Sequence, residues 1–153
     1  MTEVLFRDYR PDDQSDCLAI FDANTPEFFA PNERQDYLDF LQGDTQGYQL
    51  CVVTQGLVGA FGVFSVGAGD VSLNWIMLDP AAQGLGIGSK IMGQVVETAR
   101  ALGASRVSIA ASHKSAPFFE KFGADTQRLV QDGWGPGMHR VDMLLGCDTS
   151  EPA

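Results

Sequence analysis

The chain has 153 residues, 44% of them apolar, and a formal net charge of −10 from 20 acidic against 10 basic side chains. That length suits one domain with a core of its own, and the acidic balance argues against a general nucleic-acid binder, which needs basic patches to displace counterions. No stretch reaches the ~20 apolar residues that cross a bilayer, and the opening MTEVLFRDYRPDD lacks the basic and apolar regions of a signal peptide. A cytoplasmic protein without a membrane partner is expected. The acidity suits a cationic partner such as an amine, and equally suits plain solubility. Three cysteines (Cys17, Cys51, Cys147) and two histidines (His113, His139) are too few and too scattered for a disulfide framework or a metal centre.

Residues 3–9 have the pattern of a short strand. Pro11-Asp12-Asp13 opens a helix to about Ala23, on which Cys17, Ile20, Phe21 and Asn24 share a face by 3-and-4 spacing. A loop follows over 24–31, broken by two prolines, with an exposed Phe28-Phe29 unusual for a plain connector. Asn32 can cap a second helix, with Gln35 as its capping-box partner, and that helix stops at Gly43. From Tyr48 the period changes to that of strands: 48–54 and 57–66 form a hairpin turning at Gln55-Gly56, and 71–78 follows a turn at 67–70. Ile87, Ile91, Val95, Thr98 and Leu102 then form one helical stripe that ends at Gly103. A short buried strand over 106–110, a short helix over 115–122 and strands over 126–131 and 138–145 around the loop 132–137 complete a single domain, 1–147. A frayed tail is expected over 148–153. The order is that of an α/β domain with a mixed central sheet of about seven strands and about four helices; its hairpins exclude an all-parallel sheet.

The chemistry concentrates at Leu78–Met92, LDPAAQGLGIGSKIM. A strand ends at Asp79-Pro80, glycines follow at 84, 86 and 88, and a helix begins. Glycine lets a backbone turn tightly and approach a ligand, and a helix's first turn presents unpaired N–H groups and the positive end of its dipole, a combination that attracts phosphate. A Walker A loop needs Gly-Lys-Ser/Thr as a unit, but here Gly88-Ser89-Lys90 misplaces the lysine. A dinucleotide fingerprint needs G-x-G-x-x-G after a first strand and an acid about 20 residues on. The spacing here is G-x-G-x-G, past mid-chain, and the next strand ends without an acid. Tight packing without a ligand would also use glycine, but three in alternation before a strong helix are costly unless the exposed backbone is useful.

Gln83-Gly84-Leu85-Gly86-Ile87-Gly88 fits Q/R-x-x-G-x-G/A and resembles the acyl-CoA motif of the GNAT N-acetyltransferase family. Leu78-Asp79-Pro80 resembles the end of that family's fourth strand, and Phe118-Phe119-Glu120-Lys121-Phe122-Gly123-Ala124 is similar to its F-Y-E-K-L-G-F motif. The resemblance covers roughly 71–124 and implies the GNAT fold. It implies acetyl-CoA as acyl donor, no metal, and a small-molecule primary amine attacking the thioester directly. The pyrophosphate would sit on the N–H groups of Gln83, Gly84, Leu85, Gly86, Ile87, Gly88 and Ser89. The pantetheine arm would run in a splay between strands 71–78 and 106–110, against Met77 and Leu78, with Phe119 beside it. A homodimer paired through the last strands would fit the same family.

The acid and base are where the chain departs from this pattern. Phe119 stands where a tyrosine acid is often found, Ser112 where an asparagine is, and the fourth strand offers Ser72 and Asn74 rather than a glutamate. The remaining catalytic candidates are Glu27 in the first loop, His139 after the 132–137 loop, and Ser115 at the short helix. Phe28, Phe29, Asn74 and Trp134 are candidates for the acceptor site. A non-catalytic acyl-CoA-binding or regulatory module is the alternative reading.

Overall fold

The computed structural model describes residues 3–67 and 69–147; the tail expected over 148–153 and Ala68 in the 67–70 turn lie outside them. Seven strands, β1 (Leu5–Asp8), β2 (Tyr48–Val53), β3 (Gly56–Gly67), β4 (Asp70–Leu78), β5 (Arg106–Ser112), β6 (Asp125–Gly135) and β7 (Met138–Gly146), form one sheet. Four helices accompany it: α1 (Gln14–Ala23), α2 (Glu33–Leu41), α3 (Ile87–Ala101) and α4 (Ala116–Glu120). The spatial order is β1-β2-β3-β4-β5-β7-β6, antiparallel throughout except where β4 and β5 run parallel. This is the mixed α/β sheet expected from the hairpin pattern.

Strand alternation sends side chains to two cores, one on each face. On one face Cys51, Phe61, Val63, Leu73, Val107, Ile109 and Met143 pack under α3, which buries Ile87, Ile91, Met92, Val95 and Ala99. On the other, Tyr48, Leu50, Ala60 and Met77 meet Cys17, Ile20 and Phe21 of α1 and Tyr37 and Leu41 of α2. The predicted α1 face is therefore correct. Leu102, placed on the α3 stripe by spacing, instead follows the helix and is half exposed, because the helix has ended one residue earlier. The three cysteines are buried, and among the described residues none forms a disulfide. Burial pushes the Cys17 and Cys51 thiols up to about 11, which keeps them protonated and inert.

Several boundaries shift for physical reasons. The first hairpin turns at Thr54-Gln55, because Gly56, with φ +134°, already pairs with Val53. The predicted loop 132–137 is mostly strand: β6 continues through a bulge at Asp132 (φ +54°) to Gly135, and only Pro136-Gly137 turn. The Asn32–Gln35 capping box does not form. Glu33 reaches back to the Ala30 N–H instead (2.8 Å), one of the helix-start donors, while Gln35 bonds Asp39. At the other end of the domain Arg7 makes a two-pronged bond to Asp13 (2.8 and 2.9 Å) that fixes the start of α1 against β1. That contact holds the Asp13 carboxyl below its ordinary value.

Gly59 lies where β3 passes beneath α3. A Cβ there would stand 3.0 Å from the Met77 carbonyl of the paired strand and 3.1 Å from Ile91 Cδ1, both tighter than ordinary van der Waals contact. Gly59→Ala is expected to cost about 1–3 kcal/mol of stability by overpacking, read as a lowered midpoint in urea denaturation without a change of slope.

Candidate functional site

β4 and β5 pair only from Asp70–Leu73 to Arg106–Ile109. Beyond that, Asn74–Leu78 pair with β3 alone and Ala110–Ser112 with β7 alone, so the sheet opens at its centre. The expected splay is present, and its cause is local. β4 carries a bulge at Trp75, whose φ of +50° is rare for a bulky residue. The buried Tyr48 hydroxyl donates to the Trp75 carbonyl (2.7 Å) and shares a 2.8 Å hydrogen bond with Tyr37. The indole packs at 4.9 Å from the Tyr37 ring. Past the bulge the Asp79 N–H returns to Val58 O on β3 (2.7 Å), so by strand alternation the N–H of Leu78 faces the open side.

The glycine turn lies at the end of this opening. Gly84 and Gly86 have φ of +84° and +76°, and a Cβ at either would meet nothing within 4 Å. Their backbone is therefore both left-handed and exposed. Among the described residues the N–H groups from Gly84 through Ser89 meet no backbone carbonyl, while α3 has no acidic residue in its first turn. The turn is an anion cradle. One expectation changes: the Gln83 N–H is spent on Pro80 O (3.2 Å). Gly88 keeps its N–H unengaged and also serves packing, since a Cβ there would lie 2.9 Å from the Phe118 ring. Phe118 thus presses α4 onto the start of α3. Phe119, expected beside the cofactor arm, is buried in the core beneath α3 with its ring edge-on to Phe118.

Over the opening lie two segments that the sequence kept apart. Asn24, buried at the end of α1, donates to Leu78 O on β4 (3.1 Å). Trp134 on β6 donates its indole N–H to Ala111 O on β5 (3.0 Å). Between them Asn32 donates to Trp134 O (2.9 Å), and a Cβ on Gly135 would collide with Asn32 Oδ1. The loop 24–32 and the β6–β7 end therefore form one roof anchored on both lips of the splay. Phe28 and Phe29 are half-buried rather than exposed. Phe29 stacks on Phe21 (4.7 Å) and leans on Trp75 (6.4 Å), holding the roof to the core. Glu27 is exposed on that loop. Asn74 lies on β4 with its Oδ1 taken by Ser72 (2.9 Å). Ser115, a catalytic candidate, closes a reciprocal turn with Ser112 before α4, the two hydroxyls 3.0 Å apart.

His139 and His113 meet with ring centres 4.7 Å apart at the far end of β5. Nδ1 of His139 accepts the Asp132 N–H (3.0 Å), and Nδ1 of His113 accepts the His139 N–H (3.2 Å). Each neutral ring therefore carries its proton on Nε2 and presents a donor there. The residue that sequence reasoning missed is Glu33. It is 5% exposed, and its desolvated carboxyl is pushed up to about 7, with Asp36 adding to the effect and the Ala30 N–H opposing it. As the first residue of α2 it has the look of an ordinary first-turn acid; its burial comes from the tertiary fold.

A groove of about 700 Å³ between α3 and the Phe122 and Leu145 side chains touches the expected cofactor residues only at Ser89. It is separate from the splay. The site is thus a mixed sheet opened between its two parallel strands, with a glycine turn of exposed backbone N–H groups at the mouth and a loop roof above. The chain belongs to the acetyltransferase (GNAT) family, whose model matches residues 17–124. Among solved structures it is similar to a GNAT-family protein from Desulfovibrio desulfuricans (22% identity, 95% of this chain and 100% of that one, TM-score 0.74). It is also similar to Ard1 from Thermoplasma volcanium (14%, 94% and 97%, TM-score 0.79) and to YncA from Salmonella typhimurium, a structure with acetyl-CoA (15%, 99% and 98%, TM-score 0.70). At these identities the likenesses establish the fold. No curated protein matches the chain.

The burial of Glu33 links stability to pH. Unfolding returns the carboxyl to its ordinary value near 4.5, so between about 4.5 and 7 the folded chain holds a proton that the unfolded chain releases. This group's contribution is full below pH 4.5 and is lost as pH rises to 7, on the order of 1–3 kcal/mol in all. Glu33→Gln should remove that slope. Melting temperatures at pH 5 and 8 should then differ less in the variant than in the parent.

Proposed function

We propose that the protein transfers an acetyl group from acetyl-CoA to a primary amine of a small molecule by direct attack. The observation that carries the reading is the pairing of an open β4 edge with the unengaged N–H groups from Gly84 through Ser89. The first can hold an amide-bearing arm by backbone hydrogen bonds and the second a pyrophosphate. Acetyl-CoA is the class of molecule that joins the two. With a net charge of −10, the protein would hold the phosphates by local dipoles rather than by its overall field.

In this reading the arm lies along Ile76–Leu78, and the Leu78 N–H polarises the thioester carbonyl. The acceptor enters beneath the roof, past Asn74, Phe28, Phe29 and Trp134. The two Nε2–H groups of His113 and His139 and the Ser112–Ser115 hydroxyls are donors that can settle a hydroxyl or carboxylate of the acceptor. A family acid on α4 has no counterpart, since Phe119 is apolar and buried; the departing thiolate takes its proton from the amine itself or through water. That same absence supports the second reading, a module that holds acyl-CoA without turning it over. A second copy would find its pairing edge on β6, the outer strand, where Leu129 is 61% exposed.

Coenzyme A at ~100 times its dissociation constant should stabilise the protein by about 2.7 kcal/mol, and a nucleotide without the pantetheine arm should stabilise it less. Gly86→Val, which forces a β-branched residue to a φ of +76°, should abolish most of that shift. Thiol release over a panel of amines then decides between the readings: release supports the transferase, and tight CoA binding with no release to any amine supports the holding module.

A further inference from the structure

We infer that Asn24 belongs to the ligand site: its carboxamide oxygen accepts an N–H of a ligand held in the β4–β5 opening. The inference rests on the acetyl-CoA reading and adds to it a side chain that binds from the α1 side.

The contact that places Asn24 is with the open strand itself. Because the Asp79 N–H turns toward Val58 O on β3, the C=O of Leu78, like its N–H, faces away from β3. On that side, among the described residues, β4 pairs with β5 only as far as Leu73. Asn24 Nδ2 meets Leu78 O there at 3.1 Å and gives its second proton to Ile20 O in α1 at 2.9 Å. Two carbonyls around one nitrogen fix which way the amide lies, since the reverse orientation would set oxygen against oxygen. Both donors are therefore spent. Oδ1, about 2.3 Å from Nδ2 by amide geometry, stands within about 5.4 Å of Leu78 O.

That oxygen is left open. Among the described residues nothing donates to it, although Asn24 is only 4% exposed. Unlike the Tyr9 hydroxyl, it is not sealed within the protein. A side chain this buried, with both donors matched and its acceptor unmatched, calls for a donor from outside the chain.

The other side chains named for the opening differ. Trp134, which holds the β5 lip, can only donate, and its N–H is spent on Ala111 O. Asn74 Oδ1 already accepts from Ser72, and the Ser112 and Ser115 hydroxyls bond each other. Asn24 Oδ1 is thus the acceptor that this set of side chains leaves available.

A carboxamide is neutral, so the partner that fits is an N–H donor that needs no opposite charge. Two groups in the reaction qualify. One is an amide N–H of the arm, which lies along Ile76–Leu78 in the reading above. The other is an N–H of the acceptor amine, which enters beneath the loop that Asn24 begins. In either case Oδ1 takes no proton; it fixes the orientation of the group that donates to it.

The test measures CoA affinity by calorimetry, and kcat/KM for an amine that the parent acetylates, in the parent and in Asn24→Ala. The nucleotide half of CoA, which lacks the arm, is the control ligand. If the arm is the donor, Asn24→Ala weakens CoA about tenfold, the worth of one hydrogen bond, and leaves the nucleotide half unchanged. A CoA analogue with oxygen in place of the amide nitrogen that Asn24 meets then loses about tenfold on the parent and nothing on the variant. If the amine is the donor, CoA affinity holds and kcat/KM for the amine falls about tenfold with its pH profile kept. Either result supports the inference and identifies the N–H. It is overturned if Asn24→Ala changes neither quantity, or weakens CoA and the nucleotide half alike, as a residue that only fastens α1 would. If Asn24→Ala does not fold, 15N NMR of the parent decides. Movement of the Asn24 side-chain NH2 signals with CoA or the amine, but not with the nucleotide half, supports the inference; no movement overturns it. A parent that binds CoA but acetylates no amine fails the transferase reading instead, and the CoA measurements still decide for or against Asn24.

Discussion

The separation of β4 from β5 after Leu73 and Ile109 is the constraint on which the rest of the structure depends. A sheet edge exposed in the middle of a domain leaves backbone polar groups without partners, and such groups must find protein, water or ligand. Each unusual feature of the chain answers that requirement. The Trp75 bulge turns the strand away, and Tyr48 satisfies the displaced carbonyl. Asn24 takes Leu78 O and Trp134 takes a share of Ala111 O. The Leu78 N–H faces the open side, and among the described residues the Gly84–Ser89 amides at the start of α3 meet no backbone carbonyl. A ligand that completes these bonds completes the sheet.

The aromatic cluster over β2–β4 has the same origin. Phe21, Phe29, Tyr37, Phe40, Tyr48 and Trp75 stack or meet edge-on within 6.5 Å of a neighbour. Large rings carry much apolar area at low conformational cost, and such pairs add about 0.5–1.5 kcal/mol each beyond burial. They hold a strained bulge and a loop that has little regular structure of its own. Rigid support of this kind lets a roof stay in register over a site that must admit a flexible arm.

Burial also sets the electrostatics. The chain is strongly acidic, yet the carboxylate with the largest change of character is one that contacts no opposite charge at all. Desolvation of Glu33 outweighs its single backbone hydrogen bond, whereas Asp13, equally buried as a residue, is held low by the Arg7 fork. Two acids of similar burial are thus driven in opposite directions by the presence or absence of a cation.

The sequence by itself determined the element order, the mixed sheet, the α3 stripe and the glycine turn. These are written in local periodicity and in the backbone freedom of Gly84 and Gly86, which act over a few residues. The splay was expected only through the family resemblance that the motifs on either side of it carry. Only the tertiary structure decided what those residues do together. Gly88 is a packing position because Phe118 arrives from α4, and Phe119 is core because α3 covers it. Phe29 is an anchor because Phe21 and Trp75 meet it from other elements. Glu33 could not be told from a common helix-start acid until the fold buried it. Burial is a property of neighbours distant in the chain, and no local pattern of residues reports it.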